Sequence, residues 1–180
     1  LIDRNSFLNE MNKMKMVMNL KGITPSTFVY PRNSIGYTSE LNTFGIKGYR
    51  DRLFENHNIV IKKIKNISNE FNLFQKSQQS SMDNGIVKIP SGYLLNWRSG
   101  IRRLIPISIT EQRWRFAIKH AIDRKMVIHL WTHPHNFLTG HHQFKLFQSI
   151  LKMVREAEDA NKITVMTQHE YCDYLKAQNI

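Results

Sequence analysis

Short apolar runs alternate with longer stripes of helical spacing along almost the whole chain, and this alternation limits the fold more than any other feature. Strands alternating with helices over short connections imply parallel strands and right-handed crossovers, the α/β class. Phe7, Leu8, Met11, Met14, Val17, Met18 and Leu20 recur at helical offsets after an Asn-Ser that can cap, and Gly22 closes the run. This predicts a helix from about Ser6 to Lys21. STFVYP follows as a strand ended by Pro31, since proline cannot donate to a central ladder. Ile35, Leu41 and Phe44 mark a helix with Gly45 beyond its end, and IKGY is a second strand. Ile59, Val60, Ile64, Ile67, Phe71 and Phe74 predict a helix over Asn58 to Gln79, and KSQQSSMDNG reads as an exposed loop. IVKIP and YLLNW read as extended. Trp114, Ala117, Ile118, Ala121 and Ile122 give the clearest helix, Thr110 to Lys125 behind a cap signal, and MVIHLW gives the clearest strand. A long amphipathic helix (HQFKLFQSILKMVREAED), a strand (ITVM) and a capped final helix (TQHEYCDYLKAQ) complete one helix and about five βα units.

A chain of 180 residues suits one core, so a single domain is expected. Its 26 basic residues against 14 acidic ones give a net charge of +12, which brings nucleic acid, anionic lipid and acidic polymers into consideration. No apolar stretch is long enough to span a bilayer. The single Cys172 excludes an intrachain disulfide and any CxxC motif, and it reads with His169 as a polar helix face rather than a nucleophilic pair. LIDRNSFLNE has neither an initiator Met nor a signal-peptide pattern and resembles mid-domain sequence.

Chemistry concentrates in VIHLWTHPHNF, residues 127–137. On an extended strand His129, Trp131 and His133 share one face, with Ile128 and Leu130 on the other. His129 is the deeper residue and reads as a hydrogen-bonded core histidine before a metal ligand. His133, beside a proline that ends the ladder, reads as functional. His135 sits in the loop beyond Pro134, and His141 and His142 fall at the start of the next helix. The pattern is not HExxH, since no Glu follows the first histidine. In parallel α/β folds chemistry gathers at the C-terminal ends of strands, which is where Pro31-Arg32-Asn33, Tyr49-Arg50 and His133-Pro134-His135-Asn136 are expected. None of Asp3, Asp51, Asp83, Asp123, Asp159 and Asp173 falls at a confident strand end or in a paired-carboxylate motif.

TFVYPRNSIGYTSELNTFGIKGYR and VIHLWTHPHNF, followed by a helix and then ITVMTQHEY, resemble the polysaccharide deacetylase family, the NodB-like carbohydrate esterases. The resemblance runs almost end to end, and only in general character from about Asp51 to Ser108. It implies the C-terminal portion of a distorted (β/α) barrel over residues 1–180, and a hydrolase that uses a divalent metal, zinc above all, to remove N- or O-acetyl groups from a surface polysaccharide or its precursor. By position His133 matches the family's general-acid histidine. Tyr30, Arg32 and Asn33 match the motif that lines the substrate groove and orients the base. Trp131 offers an apolar wall to the sugar or, equally, packs a barrel core, and His135 and Asn136 join the groove. The family's catalytic Asp and metal ligands belong to upstream motifs that this sequence lacks, so the metal is expected to be held outside it. The sequence begins where the helix after the second of those motifs should begin, and a missing N-terminal portion or another chain is expected to complete the barrel.

Two other classes compete. Lys62, Lys63, Lys65, Arg98, Arg102, Arg103, Arg113, Arg115, Lys119 and Arg124 motivate a non-catalytic basic binding module, although no RNP, HTH or zinc-finger spacing supports nucleic acid. A degenerate deacetylase used as a scaffold is the third. The cytoplasm is the weaker default compartment, since a missing N-terminal portion would take any signal peptide with it.

Overall fold

The computed structural model describes residues 2–52, 78–95, 100 and 104–178. The expected helix from Asn58 lies outside them up to residue 77, as do the end of YLLNW and the basic residues Lys62, Lys63, Lys65, Arg98, Arg102 and Arg103. Among the described residues are four α-helices, α1 (Arg4–Leu20), α2 (Ile107–Arg124), α3 (His141–Asp159) and α4 (Gln168–Ala177). The strands are β1 (Thr27–Phe28), β2 (Gly48–Arg50), β3 (Ser81–Asp83), β4 (Ile86–Ile89), β5 (Tyr93–Leu94) and β6 (Leu130–Trp131). The class is mixed α/β, and among the described residues no barrel closes. The chain divides into two compact units, one of Leu1–Arg52, Ser80–Ser91 and Met166–Ile180, the other of Leu53–Gln79 and Gly92–Val165.

The first unit is built on a four-stranded sheet ordered β1-β2-β4-β3. β1, β2 and β4 run parallel, with Thr27 opposite Gly48 and Gly48 opposite Val87. β3 is antiparallel to β4 and joined to it by Asn84-Gly85, both in the left-handed region at φ 49° and 78°. Two left-handed residues make the primed turn whose twist matches a hairpin. The loop expected over KSQQSSMDNG is therefore in part an edge strand, and the sheet is mixed rather than wholly parallel. Asn-Gly was the available signal.

The pleat divides the sheet's side chains. Tyr49 and Ile86 face a core with Phe7 and Met11 of α1, Leu41, Phe44 and Ile46, while Val87 and Ile89 face Cys172 of α4. Gly48 is required on the α4 side: a Cβ there would collide with the Cys172 sulfur and press on the Val87 carbonyl oxygen at 3.0 Å. Cys172 is thus fully buried, not on a polar face, and burial pushes its thiol up to about 11. It is an apolar packing group.

Local caps differ from the expected ones in instructive ways. Asp3, ahead of the Asn-Ser, caps α1 by accepting from the Ser6 backbone N–H at 3.0 Å and the Ser6 hydroxyl at 2.6 Å. Those bonds hold its carboxyl below the usual range. Gly22, at φ 66°, ends the helix with the Ile23 N–H returning to the Met18 carbonyl, as an αL closure requires. The helix expected near Leu41 is a tight 3₁₀ segment, Thr38–Phe44, ended by left-handed Gly45. α4 carries the expected cap as a reciprocal Thr167–Glu170 box.

In the second unit Leu95, Trp114, Ile118, Leu146, Ile150 and Met153 form the core between α2 and α3. α2 begins at Ile107, a turn before Thr110, because Pro106 at φ −57° already suits a helix start, and no side chain caps it. β6 is shorter than MVIHLW: Leu130 and Trp131 pair in parallel with Tyr93 and Leu94, and Val127 makes an antiparallel bridge to Gln78. Residues 126–132 are half-buried, unlike a strand covered on both faces. ITVM pairs with no strand among the described residues, and Val165 is exposed. No described helix is long and apolar enough to cross a membrane.

Candidate functional site

Each unit presents a polar rim at the C-terminal ends of its parallel strands. In the first unit the chain leaves β1 through Tyr30 into a 3₁₀ turn, Pro31–Asn33, with Arg32 and Asn33 both left-handed at φ 52° and 54°. Such conformations are uncommon outside glycine and mark backbone held by its surroundings. The surroundings are visible. Tyr30 is only 4% exposed, packs edge-on against Phe28 and Tyr49, and donates its hydroxyl to the Gly36 carbonyl at 2.7 Å. The adjoining strand end supplies the rest: Arg50 Nη2 donates to Asn33 Oδ1 at 2.9 Å, and Arg52 Nη2 donates to the Ile35 carbonyl at 2.9 Å.

Burial sets the electrostatics of this rim. Desolvation pulls the Arg50 guanidinium below its ordinary pKa while leaving it a cation. Desolvation also raises the Tyr30 phenol to about 12, with the Asp83 carboxylate adding to the effect. Asp51 follows β2 directly, accepts from the Arg52 backbone N–H at 2.8 Å and lies 3.5 Å from Lys88 Nζ. Asp83 closes β3 and accepts from the Tyr49 hydroxyl at 2.8 Å. Both acids therefore stand at strand ends, against expectation. For Asp51 the sign was the adjacent GYR run, and for Asp83 the Asn-Gly turn.

In the second unit the histidine strand is seated by Gly92. Its φ is 65°, and a Cβ there would strike the backbone oxygen and the side chain of His129, so only glycine lets the strands approach. His129 is half-buried and accepts from the Tyr93 N–H through its carbonyl at 2.8 Å. His133 follows β6 and is exposed. Its ring meets the Trp131 edge at 5.5 Å and 85°, and stacks on His135 at 5.0 Å and 11°. Pro134 starts the 3₁₀ turn Pro134–Thr139.

Beneath these rings the loop is fastened. Asn136 is 2% exposed and donates to the Leu95 carbonyl at 3.0 Å and to Thr132 Oγ1 at 3.3 Å, while Thr132 Oγ1 also donates to Leu95 at 3.1 Å. Of the residues read as groove-lining, Tyr30 and Asn136 thus have buried side chains whose polar atoms are used internally, and each holds the turn that carries an exposed neighbour. Arg32, His133 and His135 are the exposed members, with Asn33 and Trp131 half-buried. Arg52 and Thr132 are supporting residues that the sequence reading did not single out, and Asp51 is one it set aside as lying at no strand end.

The divalent metal implied by the resemblance needs three or more donors, and among the described residues no such group of His, Cys, Asp or Glu exists. These residues do not fit a metal, and the chemistry open to them is proton transfer, hydrogen bonding and ion pairing. Comparison with protein families, with curated proteins and with solved structures found no match.

Proposed function

We propose that this chain is part of a carbohydrate deacetylase of the polysaccharide deacetylase type, a hydrolase that removes acetyl groups from N- or O-acetylated sugars. His133 is its general acid. Water adds to the acetyl carbonyl and yields its proton to a carboxylate base from outside this sequence, the carbon–nitrogen or carbon–oxygen bond breaks, and the protonated His133 imidazole delivers a proton to the departing amine or alkoxide. Trp131, in the same unit as His133, offers the sugar an apolar surface. The observation that carries this reading is the placement of an exposed imidazole directly after a parallel strand, on a loop fastened from below by buried Asn136.

The metal that such a reaction requires would take its ligands from outside the described residues, and the steps given to this chain use none. The same reading makes the described strands part of a distorted (β/α) barrel, completed by further chain or by a partner. A cooperative thermal transition of the isolated 180-residue monomer would overturn that completion, because unpaired edges of a parallel sheet are exposed without it.

Zinc-supplied protein should release acetate from N-acetylglucosamine oligomers, and His133→Ala should lower kcat by about 100-fold or more. An undiminished rate removes His133 from the reaction. A folded protein that releases no acetate favours the scaffold reading, and polyanion binding that weakens linearly with the logarithm of salt concentration favours the basic module.

A further inference from the structure

We infer that the C-terminal half of α1 docks on the surface of an anionic phospholipid membrane, with Met16, Val17 and Leu20 entering the headgroup layer and the lysines around them meeting lipid phosphates. The helix carries two stripes. Phe7 and Met11 are buried in the first unit's core with Met14 packed against it, at offsets that put all three on one side. Asn5, Asn9, Asn12, Met16 and Leu20 follow one another in steps of three or four on the far side, and all five are exposed. The outer stripe of a helix packed on a domain is ordinarily polar throughout. Here it is asparagine over the first half and then turns apolar. Met16 is 60% exposed, Val17 beside it 53% and Leu20 78%. Ile23, 52% exposed, is held next to the last turn by its N–H bond to the Met18 carbonyl.

Two features name the occupant. The first is charge: Lys13 lies on the apolar strip one turn before Val17, Lys15 and Lys21 flank it on either side, and all three are exposed. The one acid within α1, Glu10, sits ahead of the strip and pairs with Lys13 at 2.9 Å. Along the chain the next acid is Glu40, which pairs with Arg4 at the opposite end of the helix. Lysines ringing an apolar strip, their long stems lying along it and their ammonium ends reaching outward, suit a layer of anionic headgroups. A second copy of this chain seated face to face would set the same lysines against one another, which charge repulsion opposes. The second feature is composition. The strip is thioether and aliphatic, with no Trp, Tyr or Arg of the kind that anchors protein interfaces. No described helix is long and apolar enough to cross a membrane, so α1 lies in the surface with its asparagine half nearer the water.

This surface is independent of the deacetylase reading, and its test uses no sugar. The full chain is floated with vesicles of phosphatidylcholine alone and of phosphatidylcholine mixed with phosphatidylglycerol. Binding to the mixed vesicles should be tighter by about tenfold or more, and should weaken as salt is raised. Leu20→Ser should weaken it by about tenfold, the worth of one leucine side chain leaving water. Lys21→Gln should weaken it by about fivefold on the mixed vesicles and leave the neutral ones unchanged. Leu151→Ser, at an exposed leucine of α3, should have no effect on either. All three positions are exposed, so each variant should keep the helix content of the parent by circular dichroism. Absent binding, equal binding to both vesicle types, an equal loss in Leu151→Ser, or full affinity in Leu20→Ser overturns the membrane surface. So does a concentration-dependent dimer in sedimentation that Leu20→Ser dissolves, which would give the strip to a second copy of the chain.

Discussion

The two rims make opposite uses of polar side chains. After β2, Arg50, Asp51 and Arg52 all make polar contacts with neighbouring residues, and the backbone of the facing turn is held in left-handed conformations by those contacts and by buried Tyr30. After β6 the anchoring polar groups, Thr132 and Asn136, are separate from the exposed ones, and among the described residues the His133 ring meets the rings of Trp131 and His135. The first rim's polar groups are tied to its backbone, and the second's exposed rings are not.

That contrast can be broken experimentally. The largest effect is expected for Gly92→Ala, which puts a side chain at φ 65° and drives it into His129. Left-handed strain and overpacking together should cost about 3–4 kcal/mol in urea unfolding. A cost below about 1 kcal/mol would mean that the histidine strand is not seated by this close approach. Asn136→Ala should cost about 0.5–1.5 kcal/mol by removing one of the two side-chain donors to the Leu95 carbonyl, Thr132 Oγ1 keeping the other, and should also lower any acetate release by loosening the loop. Loss of stability with kcat retained would separate the anchor from the chemistry.

Alkaline pH probes the first unit. Burial raises Tyr30 to about 12 and Cys172 to about 11, from 10.0 and 9.0, so both groups are neutral in the folded protein where the unfolded chain has begun to ionise. Their contribution is complete below pH about 9 and is lost as pH climbs from there to about 12. Tyrosinate absorbance should therefore rise late in the native protein, and Tyr30→Phe should flatten the upper part of the stability loss. Ionisation of every tyrosine near pH 10 would contradict a buried phenol. The smallest effect is expected at the exposed rings: His133→Ala and His135→Ala should each change stability by less than about 0.5 kcal/mol. A larger loss would give the imidazoles a structural task and weaken their assignment to the reaction.

Legibility in the sequence followed the range of the forces involved. The α1 stripe, the Thr167 capping box, the long α3 helix and the strand-end position of His133 all depend on residues a few places apart, and each was readable. Cys172 was misplaced because its burial depends on Gly48, 124 positions earlier, lying beneath it. The β3 hairpin was local and its Asn-Gly turn readable, but the flanking Ser81 and Asp83 disguised a strand whose partner supplies the apolar contacts. ITVM shows the reverse error, a run with strand composition and no described edge to pair with.

By itself the sequence determined helix positions, turn glycines and the chemical types gathered at strand ends, because spacing and backbone preference act within a few residues. Tertiary structure alone decided which of those groups are buried and bonded, Tyr30 and Asn136, and which stand exposed, Arg32 and His133. Burial is a property of what packs against a side chain, and in this molecule the packing partners are distant in the chain.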